Sequence, residues 1–235
     1  MKTPFRIPTA ILAATISLST VFGVLAQDAT PAATPATDLG TPVSALDCWS
    51  DAPDSSVAGY PQWAGAPEMK IDTSKTYYAT IETNRGTFVI ELYANVAPNT
   101  VNNFVCLATN DYYDGVIFHR VIRDFMIQTG DPTGTGRGGP GYQINDELPG
   151  GDMNYLQGTV AMANAGANTN GSQFFINTVN NAGQLGKNYT IFGTVVEGMD
   201  VVQLISEVPV GFNSDGEQSV PAATMTILNI TITAK

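Results

Sequence analysis

Residues 76–93 read TYYATIETNRGTFVIELY. Two runs rich in Thr, Tyr, Val and Ile partly alternate and flank Asn84-Arg85-Gly86. β-Branched and aromatic residues suit a pleated, half-buried surface, and a short Gly-bearing loop between such runs closes an antiparallel hairpin. The pattern predicts strands over Thr76–Thr83 and Thr87–Tyr93 joined by a three-residue loop. The folded part of the chain thus begins with paired strands and no crossover helix between them.

Downstream comes APNTVNNFVCLATN (97–110). Pro98 suits a first helical turn, and Val101, Phe104, Val105 and Ala108 follow i, i+3, i+4, i+7, which predicts a helix with one buried face. Asp114-Gly115 marks a turn. Val116–Ile122, Phe125–Gln128, Gly158–Ala163, Gln173–Asn177 and Ile191–Val196 read as strands, and a long Gly-rich loop occupies 130–142. A second helix follows Gly198. In the last strand, Thr224–Thr233, Met225 and Ile227 are odd-numbered but Ile230 and Ile232 even, so the alternation slips near Leu228-Asn229 and predicts a bulge. Strands do not alternate with helices, which disfavours a doubly wound sheet. A mainly β fold, a closed antiparallel barrel with two helices on its ends, fits better.

Upstream, residues 1–26 have the composition of a signal peptide: Lys2 and Arg6, an apolar run, then Val24-Leu25-Ala26 as a cleavage signal. An uncleaved membrane anchor is the lesser alternative. Residues 27–46 are Ala/Thr/Pro-rich without periodicity and read as a linker. An extension over 47–75, with Trp49, Tyr60 and Trp63, precedes the folded domain at 76–235. Cys48 and Cys106 make an even count, which in an exported protein permits one disulfide; two free thiols are the alternative. The expected location is periplasmic, cell-envelope or secreted. The net charge is −11 and no Lys/Arg cluster exists, which argues against a nucleic-acid partner.

Several patterns point elsewhere and fail on context. Gly134–Gly139 satisfies G-x-G-x-x-G, but Pro140-Gly141 follows at once, so no helix opens to receive a pyrophosphate. Ser172 sits in NGSQF rather than a nucleophile elbow. One histidine and no paired thiols make a zinc site implausible, so no metal is expected. Asp114, Asp124, Asp131, Asp146 and Glu147 are clustered but read as turn and cap residues rather than an acid/base pair.

Residues 118–128, FHRVIRDFMIQ, place the only histidine and two arginines inside an apolar run. Three segments, FHRVIRDFMIQTGDPTGTGRGGPGY (118–142), VAMANAGANTNGSQFFINT (160–178) and YTIFGTVVEGMDVV (189–202), together resemble the cyclophilin-type peptidyl-prolyl cis-trans isomerases in their bacterial form. The resemblance runs from about Thr76 to Thr233. It implies an eight-stranded antiparallel barrel closed by two helices, in agreement with the pattern of elements. It also implies isomerisation of X-Pro bonds without a cofactor, by a monomer acting on proline-containing polypeptides of the extracytoplasmic space and assisting their folding. A non-catalytic module that holds proline segments is the alternative.

By motif, Arg120 matches the central catalytic arginine, with Phe125 and Gln128 beside it. Met126, Phe175 and Leu185 match the rest of the apolar wall that receives the ring. Ala163, Asn164 and Gln173 match positions that meet the residues before proline. His119 keeps its place before the arginine and reads best as a structural imidazole satisfied by hydrogen bonds. Tyr189 stands where many members carry a rim histidine, Thr129-Gly130 replaces a Gly-Gly pair, and Gln184 lies near a frequent tryptophan position. Phe125 and Met126 are adjacent, so a regular strand would face them apart; both can line one pocket only if the backbone is irregular at about Asp124.

Overall fold

The computed structural model describes residues 38–56 and 58–235; the expected signal peptide and most of the linker lie outside the described residues. In chain order the elements are β1 (Thr41–Pro42), β2 (Tyr77–Thr83), β3 (Gly86–Leu92), α1 (Pro98–Ala108), β4 (Arg120–Ile122), β5 (Met126–Thr129), β6 (Thr159–Met162), β7 (Phe174–Asn177), β8 (Ile191–Glu197), α2 (Met199–Ser206), β9 (Val210–Phe212), β10 (Gln218–Pro221) and β11 (Ile227–Ala234). The main sheet runs β1-β11-β2-β3-β8-β6-β7-β5-β4 with every pair antiparallel. Its far end returns to β11. Phe118 N donates to Met225 O, Ile227 N to Val116 O and Gly115 N to Ile227 O, each at 2.9 Å. These bonds join the run entering β4 to the start of β11, so eight strands form a closed ring and β1 lies outside it.

The closure explains why the predicted strand 116–122 is broken. Its first half pairs toward β11, and only Arg120–Ile122 pairs with β5. The β2–β3 loop is also tighter than the sequence predicts. Thr83 pairs with Gly86, leaving Asn84-Arg85 as a two-residue connection. The Thr83 hydroxyl donates to Gly86 O at 2.7 Å and accepts from Arg85 N at 3.0 Å, which fixes the turn. The β11 register shifts between Ile227 and Asn229, where the sequence places a bulge, and leaves Leu228 exposed. The hairpin β9–β10 is not foreseen, because its strands are short and its centre, NSDGE (213–217), reads as plain loop.

Alternation along β5 and β7 divides the side chains between two apolar clusters. Ile127, Phe174 and Ile176 enter the main core with Phe88, Phe104 and Phe192. Met126 and Phe175 face the other way, into a smaller cluster with Tyr155, Ala161 and Ile191, against which Phe125, Leu185 and Tyr189 pack. That second cluster is the floor of the site described below.

Helix α1 is buried on both faces, not one: Thr100 through Ala108 are all covered. Its outer face lies under the extension. Asn102 Oδ1 accepts from Lys70 N (2.8 Å) and Ile71 N (3.3 Å), and its amide donates to Glu68 O (2.9 Å). Cys106 is joined to Cys48 by a disulfide. Trp63 and Ile71 belong to the main core. Residues at the end of the expected linker are seated too. Thr41 and Pro42 pair with Ala234 and Thr233, and Val43 N donates to Ile232 O at 2.8 Å. A sheet edge offers backbone partners to any extended chain, so the lack of apolar periodicity did not prevent it.

Candidate functional site

The β4–β5 hairpin turns through Arg123-Asp124-Phe125, with Ile122 opposite Met126. Asp124 adopts φ 55°, the left-handed conformation that short polar side chains tolerate. This is the irregularity required at that point, and it lets Phe125 and Met126 line one cavity. Two bonds hold the turn: Phe125 O accepts from Thr178 N at 3.0 Å and from Asn181 Nδ2 at 2.9 Å. Asn181 O in turn accepts from Leu185 N at 3.2 Å, so one buried asparagine sets Phe125 against Leu185.

Arg120, Phe125, Met126, Gln128, Ala163, Asn164, Phe175, Leu185 and Tyr189 surround a cavity of about 250 Å³. Its floor is the smaller apolar cluster. Phe175 meets the Tyr189 ring edge-on at 5.5 Å. Tyr155 pins Tyr189 from behind, donating its hydroxyl to Tyr189 O (2.9 Å) and accepting from Tyr189 N (3.1 Å). The tyrosine thus presents a fixed aromatic wall where the family pattern has imidazole.

Arg120 lies across the mouth of this cavity. Its Nη1 donates to Gln128 Oε1 at 3.2 Å and lies 3.9 Å from Met126 Sδ. Gln128 Nε2 donates to Gln173 Oε1 at 3.0 Å, and Gln173 Nε2 to Gly138 O at 2.9 Å. Of the residues named from sequence, Gln173 therefore sits one step behind the cavity and lines a neighbouring groove of about 400 Å³ with Gln128, Ala163 and Asn164. Thr129 is buried in β5, its hydroxyl donating to Ile117 O at 3.0 Å. Gly130 alone makes the turn that follows: it has φ 89°, and a Cβ there would lie 2.3 Å from Ser172 O. A threonine before it therefore costs the loop nothing.

His119 does not line the proline cavity. It borders a separate cavity of about 430 Å³ beyond Arg120, with Asn213, Asp215, Glu217 and Ser219. Its two ring nitrogens are shielded from solvent, and the imidazole meets the backbone of Ile117. Burial lowers its pKa from the ordinary value; nearby Asp131 and a backbone hydrogen bond with Ile117 oppose this, and the Arg120 cation adds to it. Arg123 donates to Glu207 O at 2.8 Å from an exposed position, in keeping with a surface turn residue.

Three contributors carried no sequence signal that would have marked them. Asn181 and Tyr155 lie in stretches read as connections. Glu217 lies 97 residues from Arg120, and its carboxylate accepts from Arg120 Nε at 2.7 Å and Nη2 at 2.6 Å. The paired guanidinium holds the Glu217 carboxyl below the ordinary glutamate value, against a smaller opposing effect of burial.

A polar network at the mouth of an apolar, ring-sized slot can grip a cyclic side chain while hydrogen-bonding the backbone beside it. The family model described as cyclophilin type peptidyl-prolyl cis-trans isomerase/CLD matches residues 78–232. Among curated proteins, the chain is 52% identical over 132 residues to peptidyl-prolyl cis-trans isomerase-like 1 of Neurospora crassa, covering 55% of this chain and 80% of that protein. It is 48% identical over 172 residues to peptidyl-prolyl cis-trans isomerase A of Mycobacterium tuberculosis, covering 65% of this chain and 92% of that protein. A crystal structure of a Cryptosporidium parvum cyclophilin type isomerase in the presence of the dipeptide Ala-Pro matches with a TM-score of 0.61 at 35% identity, over 67% of this chain and 99% of that one.

Proposed function

The chain belongs to the cyclophilin-type peptidyl-prolyl cis-trans isomerases, and we propose that it acts on X-Pro bonds of extracytoplasmic proteins, with the Arg120 guanidinium stabilising the twisted imide. Uncatalysed isomerisation takes tens to hundreds of seconds because amide resonance resists rotation. At mid-twist the resonance is lost, and the imide nitrogen becomes pyramidal with a lone pair absent from either planar state. A cation that donates to that lone pair binds the transition state better than both ground states, which is the condition for catalysis.

The observation that carries this reading is Arg120 Nη1 at the edge of a cavity walled by Phe125, Met126, Phe175, Leu185 and Tyr189. The ring is held there while the carbonyl side turns. Chain preceding the proline is assigned to the adjoining groove beside Ala163, Asn164 and Gln173. No bond is made or broken, so no proton donor is needed. A charge-assisted hydrogen bond contributes about 1.5–3 kcal/mol, or roughly 10–100-fold in rate. Positioning of the ring and backbone accounts for further acceleration.

Two features support an extracytoplasmic site of action. The first 26 residues have the charge and hydropathy pattern of a leader, and the Cys48–Cys106 disulfide is a bond of oxidising compartments. The deciding experiment is a protease-coupled assay on an X-Pro peptide. The wild-type protein accelerates isomerisation, and Arg120→Ala lowers kcat/KM by about 10–100-fold while peptide binding persists. Equal inactivity of the two proteins with binding retained would instead make the groove a holding site for proline segments.

A further inference from the structure

We propose that Glu217 is a positioning residue for the isomerase reaction: its carboxylate grips the outer edge of the Arg120 guanidinium and so aims the opposite end into the proline cavity. The proposal rests on the reading of Arg120 given above. The two ends of the guanidinium face different surroundings. Nη1 touches Met126 and Gln128, which line the proline cavity. Nε and Nη2 meet Glu217, which borders the separate cavity with His119, Asn213 and Asp215. A bidentate carboxylate fixes both the position and the plane of a guanidinium, which a single bond does not.

The acid is itself held. Glu217 N donates to Asn213 Oδ1 at 2.8 Å, and Asn213 N donates to Glu217 O at 2.9 Å. Gly216, at φ 81°, completes the turn, and its N–H donates to Asn213 O at 3.1 Å. Strands β9 and β10 thus exist, in part, to present one carboxylate to β4. The short hairpin that sequence patterns pass over is part of the site's support.

Two effects oppose each other. A carboxylate on the guanidinium weakens the field the cation projects toward the imide. It also removes the rotational freedom of a long side chain that Gln128 alone restrains by one bond of 3.2 Å. Positioning is the larger effect here. The Arg120 and Glu217 side chains are 33% and 36% exposed, so water already screens the charge, whereas water does not orient the fork. The same exposure means that the ion pair contributes little to folding, and its removal leaves the barrel intact.

The test compares wild type, Glu217→Ala and Glu217→Gln in the X-Pro assay, with thermal unfolding and the Arg120 Nε–H resonance recorded for each. Glu217→Ala is expected to lower kcat on the order of 10-fold, with KM within about twofold and unfolding unchanged. Glu217→Gln keeps one acceptor and falls between, and both substitutions shift the Nε–H signal toward that of a solvated guanidinium. Rates equal to or above wild type in both variants, or an unmoved Nε–H signal, would overturn the assignment. An inactive wild type would refute the isomerase reading itself, which separates the two failures.

Discussion

Asp131 shows how one side chain can fix a loop that has no regular structure. Its carboxylate accepts from Thr133 N (2.7 Å), Thr135 N (3.0 Å), Gly136 N (2.6 Å) and Arg137 N (3.1 Å), and from the Thr133 hydroxyl (2.7 Å). Glycines at 134 and 136, with φ 66° and 79°, let the backbone curl around it. Burial works against ionisation, but the donors from Thr133, Gly138 and Gly136 outweigh it and leave the pKa below the ordinary aspartate value. A folded pKa below the unfolded one, about 3.9, contributes stability that is complete above the unfolded value and is lost as pH falls through the folded one. Asp131→Asn is therefore expected to cost about 2–4 kcal/mol near neutral pH, with the difference from wild type shrinking below about pH 4. Denaturant unfolding of both proteins across that range measures it; a difference that stays constant into acid would exclude the carboxylate's charge as the cause. At this scale, legibility depended on contiguity. Arg120, Phe125, Met126 and Gln128 fall within one eleven-residue run and matched the family pattern together, as Phe175 and Leu185 did from other segments. Glu217 was not, since an acid in a Gly-bearing loop looks the same whether it faces water or an arginine.

Among the elements, the β4–β5 hairpin is where sequence reasoning reached furthest. Adjacent Phe125 and Met126 can share a pocket only across a break in alternation, and Asp124 at φ 55° is that break. A β-branched residue there pays about 1–2 kcal/mol for the left-handed conformation, whereas glycine does not. Asp124→Gly should keep both stability and turnover, while Asp124→Val should lower the unfolding free energy by about that amount. The valine should also lower kcat/KM, because relaxing the turn rotates Phe125 off the cavity. Thermal melts and the X-Pro assay on the two variants check this, and a fully active, undiminished valine variant would refute the role given to the turn. Helix α1 and the β9–β10 hairpin were less legible for different reasons. The outer face of α1 carries Asn102 and Asn103, which look solvated; each is buried because its amide is matched to backbone groups, at Glu68 and Gly171. The hairpin's strands are too short for alternation to register against background.

On the scale of the whole molecule, the family match begins at residue 78, yet segments within 38–56 and 58–75 form a belt seated on the barrel, Thr41–Pro42 on β11 and Trp63 and Ile71 in the main core. Trp49 stacks on Trp63 with ring centroids 4.2 Å apart, and Trp63 N donates to Pro140 O at 2.9 Å. The same Gly-rich loop gives Gly138 O to Gln173, which holds Gln128 beside Arg120. The belt therefore backs the loop that backs the site. Nothing periodic in 47–75 announces this, because its contacts are isolated aromatics and backbone pairs rather than a repeating face. What the sequence did offer was two cysteines. The disulfide closes a loop with a sequence separation of 58, for which chain entropy sets a stabilisation of about 4 kcal/mol, and measured values for such bonds centre on about 2–4 kcal/mol. Cys48→Ser with Cys106→Ser should lower unfolding stability by about that amount. Its effect on turnover at room temperature should stay within about threefold, since the barrel closes through β4 and β11 without the belt. Unfolding of wild type with and without reductant, beside the double variant, tests the first half, and the X-Pro assay on both proteins tests the second. Coincident midpoints would mean that the belt adds no stability through its staple, and a collapse of turnover in the folded variant would mean that the belt, and not the barrel alone, sets the geometry at Arg120.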